Sequence, residues 1–113
     1  MSTPCFGEWK FIVRDKKNGI TGNNYINTKN IEIKNGYLYF WTLTDLEEPF
    51  QKMLSMTEYV KIDCEKKRYK SLQLFVHEKN MGKGQSYRIS DDLKWYYPLP
   101  GSFLDKIRRN SCD

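Results

Sequence analysis

Between residues 8 and 14, Trp9, Phe11 and Val13 alternate with Lys10 and Arg14, the period of two that marks a strand with one face in a core. Ile12, on the other face, keeps that side from being wholly solvent-exposed. The polar run Asp15-Lys16-Lys17-Asn18-Gly19 ends in an Asn-Gly pair, which supplies the positive-φ positions of a tight turn. Gly22-Asn23-Asn24 reads as a continuation of the irregular stretch. Ile31 and Ile33 then alternate with Glu32 and Lys34 ahead of Asn35-Gly36, and residues 37–43 follow as a second apolar arm, the clearest hairpin in the chain. One face of that arm carries Tyr37, Tyr39, Trp41 and Leu43, and the other Leu38, Phe40 and Thr42. With both faces largely apolar, the arm reads as a central strand covered on two sides.

Asp45-Leu46-Glu47-Glu48-Pro49 interrupts the alternation, and Phe50, Met53 and Leu54 have the i, i+3, i+4 spacing of a short helical turn begun by Pro49 within a connecting loop. Two further antiparallel strands are predicted over 56–64, with Val60, Ile62 and Cys64 on the inward face, and over 69–77, with Leu72, Leu74 and Val76 together and His77 turned to solvent. Gly82-Lys83-Gly84 reads as a turn and residues 86–89 as a short strand. Pro98 and Pro100 exclude a helix through Trp95-Tyr96-Tyr97. After Pro100-Gly101, Ser102 can cap a helix from Phe103 to about Asn110, with Asp105 three residues on and Arg108 and Arg109 suited to the last turn. Leu104, Ile107 and Ser111 form its sheet-facing stripe, with Cys112 just beyond. Strands first and a helix last give an α+β fold built on a meandering antiparallel β-sheet.

Composition agrees with this pattern. The 113 residues suit one domain, 1–113, with 1–7 expected to be a flexible N-terminal segment. Aromatic residues make up 15% and alanine is absent, which favours pleated, half-buried surfaces over a helix bundle. The formal charge of +5 allows weak attraction to polyanions or acidic surfaces. Its densest cluster, Lys66-Lys67-Arg68 with Lys70, reads first as a solvated hairpin turn. No RNP-like motif accompanies the aromatic strand, so a nucleic-acid partner is not expected. The longest apolar run, residues 37–41, falls far short of a transmembrane segment. Met1-Ser2-Thr3-Pro4 does not resemble a signal core, so an export signal, if used, is expected to have been removed, with Met1 an added start.

Candidate chemistry is sparse. Nucleophilic catalysis needs a base, and His77 is the one imidazole; the carboxylate pairs Glu47-Glu48 and Asp91-Asp92 lie in polar loop sequence. Gly82-x-Gly84 is too short to cradle a phosphate and opens no helix. The cysteines, 59 and 48 residues apart and without Cys-x-x-Cys, lack zinc spacing; spacing alone leaves a bridge and buried free thiols equally open. The chain is therefore read as non-enzymatic, with no catalytic residue, no metal site and no cofactor.

The order of motifs adds to this reading. Val60-Lys61-Ile62-Asp63-Cys64, Lys67-Arg68-Tyr69, Met81-Gly82-Lys83-Gly84, Trp95-Tyr96-x-Pro98-x-Pro100-Gly101-Ser102 and Cys112 resemble the surface-adhesin protein E family of Gram-negative bacteria. Trp9, Tyr25-Ile26-Asn27 and Trp41-Thr42-Leu43-Thr44-Asp45 extend the resemblance over nearly the whole chain. It implies about six strands with a short C-terminal helix tied to the sheet by a disulfide between Cys64 and Cys112, and export to the periplasm or outer-membrane surface. It also implies binding of a protein partner such as a host extracellular matrix protein. Such a bridge would stabilise the fold by about 4 kcal/mol. Cys5 departs from the pattern, since Ser2-Thr3-Pro4 is a poor lipobox, and is expected to be a free thiol or an intermolecular bridge.

The expected partner contacts are Lys66, Lys67 and Arg68 in the basic turn and Met81 and Lys83 in the glycine loop. Two alternatives stand beside this: a small hydrophobic or porphyrin-like ligand held by Tyr39, Trp41, Trp95 and Tyr96, and a periplasmic assembly factor acting through an edge strand.

Overall fold

In the computed structural model, which describes residues 8–89 and 93–112, an Asn-Gly turn joins the first two strands, β1 (Trp9–Lys17) and β2 (Ile20–Asn27). Asn18 and Gly19 both have positive φ, 53° and 81°, the geometry that matches the twist of a two-residue hairpin. The other strands are β3 (Glu32–Lys34), β4 (Tyr37–Phe50), β5 (Met53–Asp63), β6 (Arg68–His77) and β7 (Ser86–Ile89); a 3-10 turn spans Asn80–Gly82, and α1 covers Phe103–Ser111. All pair antiparallel in the order β1-β2-β4-β5-β6-β7, with the short β3 lying against the start of β4 beside β2. The fold is therefore the expected α+β arrangement, with seven strands rather than about six.

β4 is central, as its two apolar faces implied. Leu38 and Phe40 point to one side, where Val60 and Ile62 of β5 lie directly opposite them. With Ile26 of β2 and Ile107 of α1 these side chains form the core, and Ile12, Cys64, Tyr69, Phe103, Leu104 and Cys112 pack around it. The helix starts where capping chemistry places it: Ser102 Oγ accepts the Asp105 N–H at 3.4 Å, and the Asp105 carboxylate accepts the Gly101 N–H at 2.8 Å. Arg108 and Arg109 then pair with that same carboxylate. A disulfide joins Cys64 to Cys112 with 5.5 Å between Cα atoms, fastening the far end of α1 to the end of β5.

Four local expectations fail, each for a physical reason. Phe11 does not face the core: Ile12 is the extra residue of a bulge in the β1–β2 ladder, so Ile12 turns inward and Phe11 is 50% exposed. Gly22-Asn23-Asn24 is not irregular but lies within β2. Gly22 is needed there because a Cβ would stand 2.8 Å from Thr44 Cγ2 on the neighbouring strand. Asn24 is buried with its amide donating to the Val13 carbonyl and Asp15, and its oxygen accepting from Thr44. The turn of helix at Phe50-Met53-Leu54 is absent; Gln51 and Lys52, with φ of 50° and 70°, form a two-residue hairpin between β4 and β5. Pro49 sits where the β4–β5 pairing is interrupted between Asp45 and Phe50, so its missing N–H leaves no gap in the ladder. Finally, His77 is buried, not turned to solvent, with 2% of its surface exposed. Residues 1–7, Cys5 and Asp91-Asp92 lie outside the described residues.

Candidate functional site

The sheet face opposite α1 follows from register. Directly opposed residues share a face, so Tyr37, Tyr39, Trp41 and Leu43 of β4 lie with Lys61, Tyr59 and Thr57 of β5, and with Arg68, Lys70, Gln73, Phe75 and His77 of β6. Rings run across its middle: Trp41 packs on Tyr59 at 5.1 Å and on Phe75 at 6.3 Å, and Tyr39 on Tyr59 at 6.4 Å. One end of this face carries cations, and the other is covered by a loop.

At the cationic end, Tyr96 pairs with Tyr69 through two backbone hydrogen bonds of 2.7 Å, adding a short bridge to the start of β6. The pairing sets Trp95 over the face, stacked on Tyr37 at 6.4 Å. Arg68 and Lys70 lie over the indole at 4.3 and 4.4 Å from its centre, and Lys61 lies 4.2 Å from the Tyr37 ring and 5.9 Å from Trp95. Lys61 and Lys70 are directly opposite one another in the ladder. Such like-charged neighbours repel, and the aromatic rings offset part of that repulsion.

Asp63 shapes the adjoining turn by accepting the Lys66 N–H at 3.2 Å and the Arg68 Nε–H at 3.1 Å. Burial alone raises its carboxyl pKa, but those two donors, with the Arg68 charge and the Glu65 N–H, outweigh it and hold the group below the ordinary aspartate value. Lys66 and Lys67 are thereby left exposed at the tip of the β5–β6 turn.

Met81 and Lys83 sit at the other end. The 3-10 turn lies flat on the face: Met81 N–H donates to Asp45 at 2.7 Å, the Asn80 amide donates to Asp45 and to the Leu46 carbonyl, and Gly82 N–H donates to Ser55 Oγ at 2.9 Å. A side chain at Gly82 would meet Leu43 at 3.4 Å and would need a φ of +73°. Ser55 and Asp63 lie eight positions apart along β5, roughly 26 Å at the usual strand rise. The five expected contact residues thus form two separate groups, one at the turn, where Lys66 and Lys67 are exposed and Arg68 is held by Asp63 and Trp95, and one bound into a lid. Lys61, Lys70 and the seat of Trp95 were missed, because strands read as 56–64 and 69–77 set Lys61 opposite Leu72, whereas the observed turn at 64–67 sets it opposite Lys70.

The four aromatics considered for a small ligand are divided between two faces. Tyr39 and Trp41 share Tyr59, and Trp95 stands beside them over Tyr37, but Tyr96 packs on Tyr69, whose side chain belongs to the helix side. Glu47 is likewise committed: Arg14 grips it with bonds of 2.6 and 2.8 Å, and with Asn23 it pulls the carboxyl pKa down to about 2.

His77 lies beneath the lid. Its Nε2 shares a 2.8 Å hydrogen bond with Thr57 Oγ1, and its buried Nδ1 has no partner among the described residues. Burial pushes the imidazole pKa below the ordinary value of 6.5. Below that value the unfolded chain takes up a proton that the folded chain resists, so stability falls as pH drops from 6.5 towards the depressed folded value. Urea midpoints should therefore be lower at about pH 5.5 than at about pH 7.5, and His77→Gln should flatten the difference. An equal pH dependence in that variant would assign it to other groups.

The family model described as surface-adhesin protein E matches residues 9–113. Among solved structures, the chain is similar to Haemophilus influenzae protein E, with a TM-score of 0.72 at 16% identity over 98% of this chain and 88% of that one. Protein E from non-typeable Haemophilus influenzae gives 0.66 at 17% identity over 98% and 79%. A second crystal form of Haemophilus influenzae protein E gives 0.65 at 16% over 79% of each. A search of the curated proteins finds no match. At these identities the structures speak for the fold alone.

Proposed function

Because the chain belongs to the surface-adhesin protein E family, we propose that it is a non-enzymatic, exported envelope protein that binds a protein partner of the host extracellular matrix. The observation that carries this reading is the end of the β5–β6 hairpin, where Lys66 and Lys67 project from a turn braced by Asp63 next to a half-buried aromatic surface. Cations held out by a rigid turn contact a partner with little ordering cost, and adjacent rings add apolar area. At the opposite end the Met81 and Gly82 N–H groups hold the lid on Asp45 and Ser55, and the Lys83 N–H closes the turn on the Asn80 carbonyl.

The test is retention of purified protein on a panel of immobilised matrix proteins. Replacing Lys66, Lys67 and Arg68 with alanine is expected to weaken retention by about tenfold, the effect of removing two exposed charges together with the arginine that braces the turn through Asp63, while Met81→Ala leaves it near the parent value. Undiminished retention of the triple variant would remove the basic turn from the interface. Absence of retention on every matrix protein would overturn the matrix reading itself.

A further inference from the structure

We propose that Lys61, Arg68 and Lys70, gathered around Trp95, form a binding site for a sulfated glycan chain, which Lys66 and Lys67 extend along the turn. The inference rests on the reading above that the protein works outside the cell, where sulfated glycans occur.

The argument begins with Lys61 and Lys70. They face each other across β5 and β6 at the end of the sheet that β7 does not reach, where the bridge between Tyr69 and Tyr96 flanks β6 and the neighbouring side chains on the face are aromatic. Opposed like charges oppose folding, and sequences depart from local rules of this kind mainly where a site requires it. Among the described residues neither lysine has a carboxylate within ion-pair distance. Asp63 already accepts Arg68 and the Lys66 N–H, and the other acids near the face, Glu32 opposite Tyr39 on β3 and Glu65 in the turn, form no ion pair with either lysine. Lys61 and Lys70 therefore add positive charge without a paired carboxylate, and ring contacts of 4.2 to 4.4 Å hold the cluster in place rather than leaving it on mobile stems.

Three features favour sulfated sugars over an acidic peptide. Four of the five cations are lysines, whose ammonium groups act as compact point charges and do not need the planar fork that pairs best with carboxylates. The single arginine has its Nε committed to Asp63, which weakens its capacity for bidentate carboxylate binding. Trp95 and Tyr37 supply half-buried aromatic surface between the charges, against which the apolar face of a sugar ring can pack. The cations form a strip leading from the face to the turn tip, so that several charged groups of one linear chain are engaged at once.

The experiment is calorimetric titration of the full chain with a heparin-derived decasaccharide, with polyglutamate of equal charge as the comparison. Saturable binding of the decasaccharide is expected, weaker for polyglutamate. Lys61→Ala with Lys70→Ala should reduce affinity by about tenfold or more and lower the slope of log K against log salt by about two. The same double variant should unfold at a urea concentration no lower than the parent, because the repulsion is gone, whereas a purely structural pair would destabilise when removed. Lys61→Arg with Lys70→Arg should restore binding. If the double variant fails to fold, Lys70→Gln alone gives the same reading.

No saturable binding at low salt, or unchanged affinity in the alanine variant, would overturn the proposal. Polyglutamate binding as tightly as the decasaccharide would replace it with an acidic-peptide site. Retention on matrix proteins, measured in the same variants with and without decasaccharide, separates the two readings. Intact retention with no glycan binding removes this inference alone, and glycan binding without retention removes the other.

Discussion

Cys64→Ser is expected to destabilise the protein by about 4 kcal/mol and lower its melting temperature by roughly 15 °C under oxidising conditions. The bridge spans a sequence separation of 48, and in the chain-entropy account it acts by restricting the unfolded chain over that loop. A second contribution comes from α1. Nine residues are too few for a helix to persist alone in water, so α1 depends on Ile107, Phe103 and Leu104 staying against the sheet. Without the bridge, the end of α1 is held by packing and by the Asp105 network alone. The check is a pair of thermal melts, parent and variant, each with and without reductant. Reductant should bring the parent down to the variant and leave the variant unchanged; coincident melts of the two oxidised proteins would show that the bridge contributes nothing.

Phe40→Ala is the substitution expected to destabilise most through packing, by about 3–5 kcal/mol. Phe40 is fully buried in the middle of the central strand, opposite Val60 and within the cluster that includes Ile26, Leu38, Ile62 and Ile107. Truncation removes the transfer energy of the ring and leaves a void between two layers, sheet and helix, that are tied by a disulfide and cannot easily close. Phe11→Ala is the control, because the Phe11 ring is half exposed and stacks only edge-on to Tyr25. Its effect should be about 1 kcal/mol or less. Urea unfolding of both variants checks the contrast, and equal losses would place the packing centre elsewhere than beneath α1. Against a typical domain stability of about 5–15 kcal/mol, Phe40→Ala under reducing conditions should leave little folded protein.

The central strand, the β5–β6 hairpin, the capped terminal helix and the Asn-Gly turns were all legible because each depends on a few neighbouring residues. The Gln51-Lys52 hairpin was not, since neither residue advertises positive φ and Phe50, Met53 and Leu54 mimic a helical spacing. β2 was hidden by its polar composition. Its asparagines pair sideways with Asp15, Thr44 and Glu47, partners that become neighbours only when three strands are assembled. At the candidate site, the basic turn was visible in the chain, while its companion across the sheet had to be found from register.

Alternation, turn residues and capping sufficed to specify an antiparallel sheet with a terminal helix, because those signals act within a turn or a strand and need no distant partner. The resemblance to a known family supplied the Cys64–Cys112 pairing that spacing left open. Which side chains meet was decided by tertiary structure alone. The bulge at Ile12 exchanged an inward residue for its neighbour, the loop at Asn80–Gly82 buried a histidine that strand period placed in solvent, and the bridge between Tyr69 and Tyr96 carried Trp95 onto three cations. Each outcome turns on long-range register, where one residue of shift reverses the face a side chain occupies, and no local pattern contains that information.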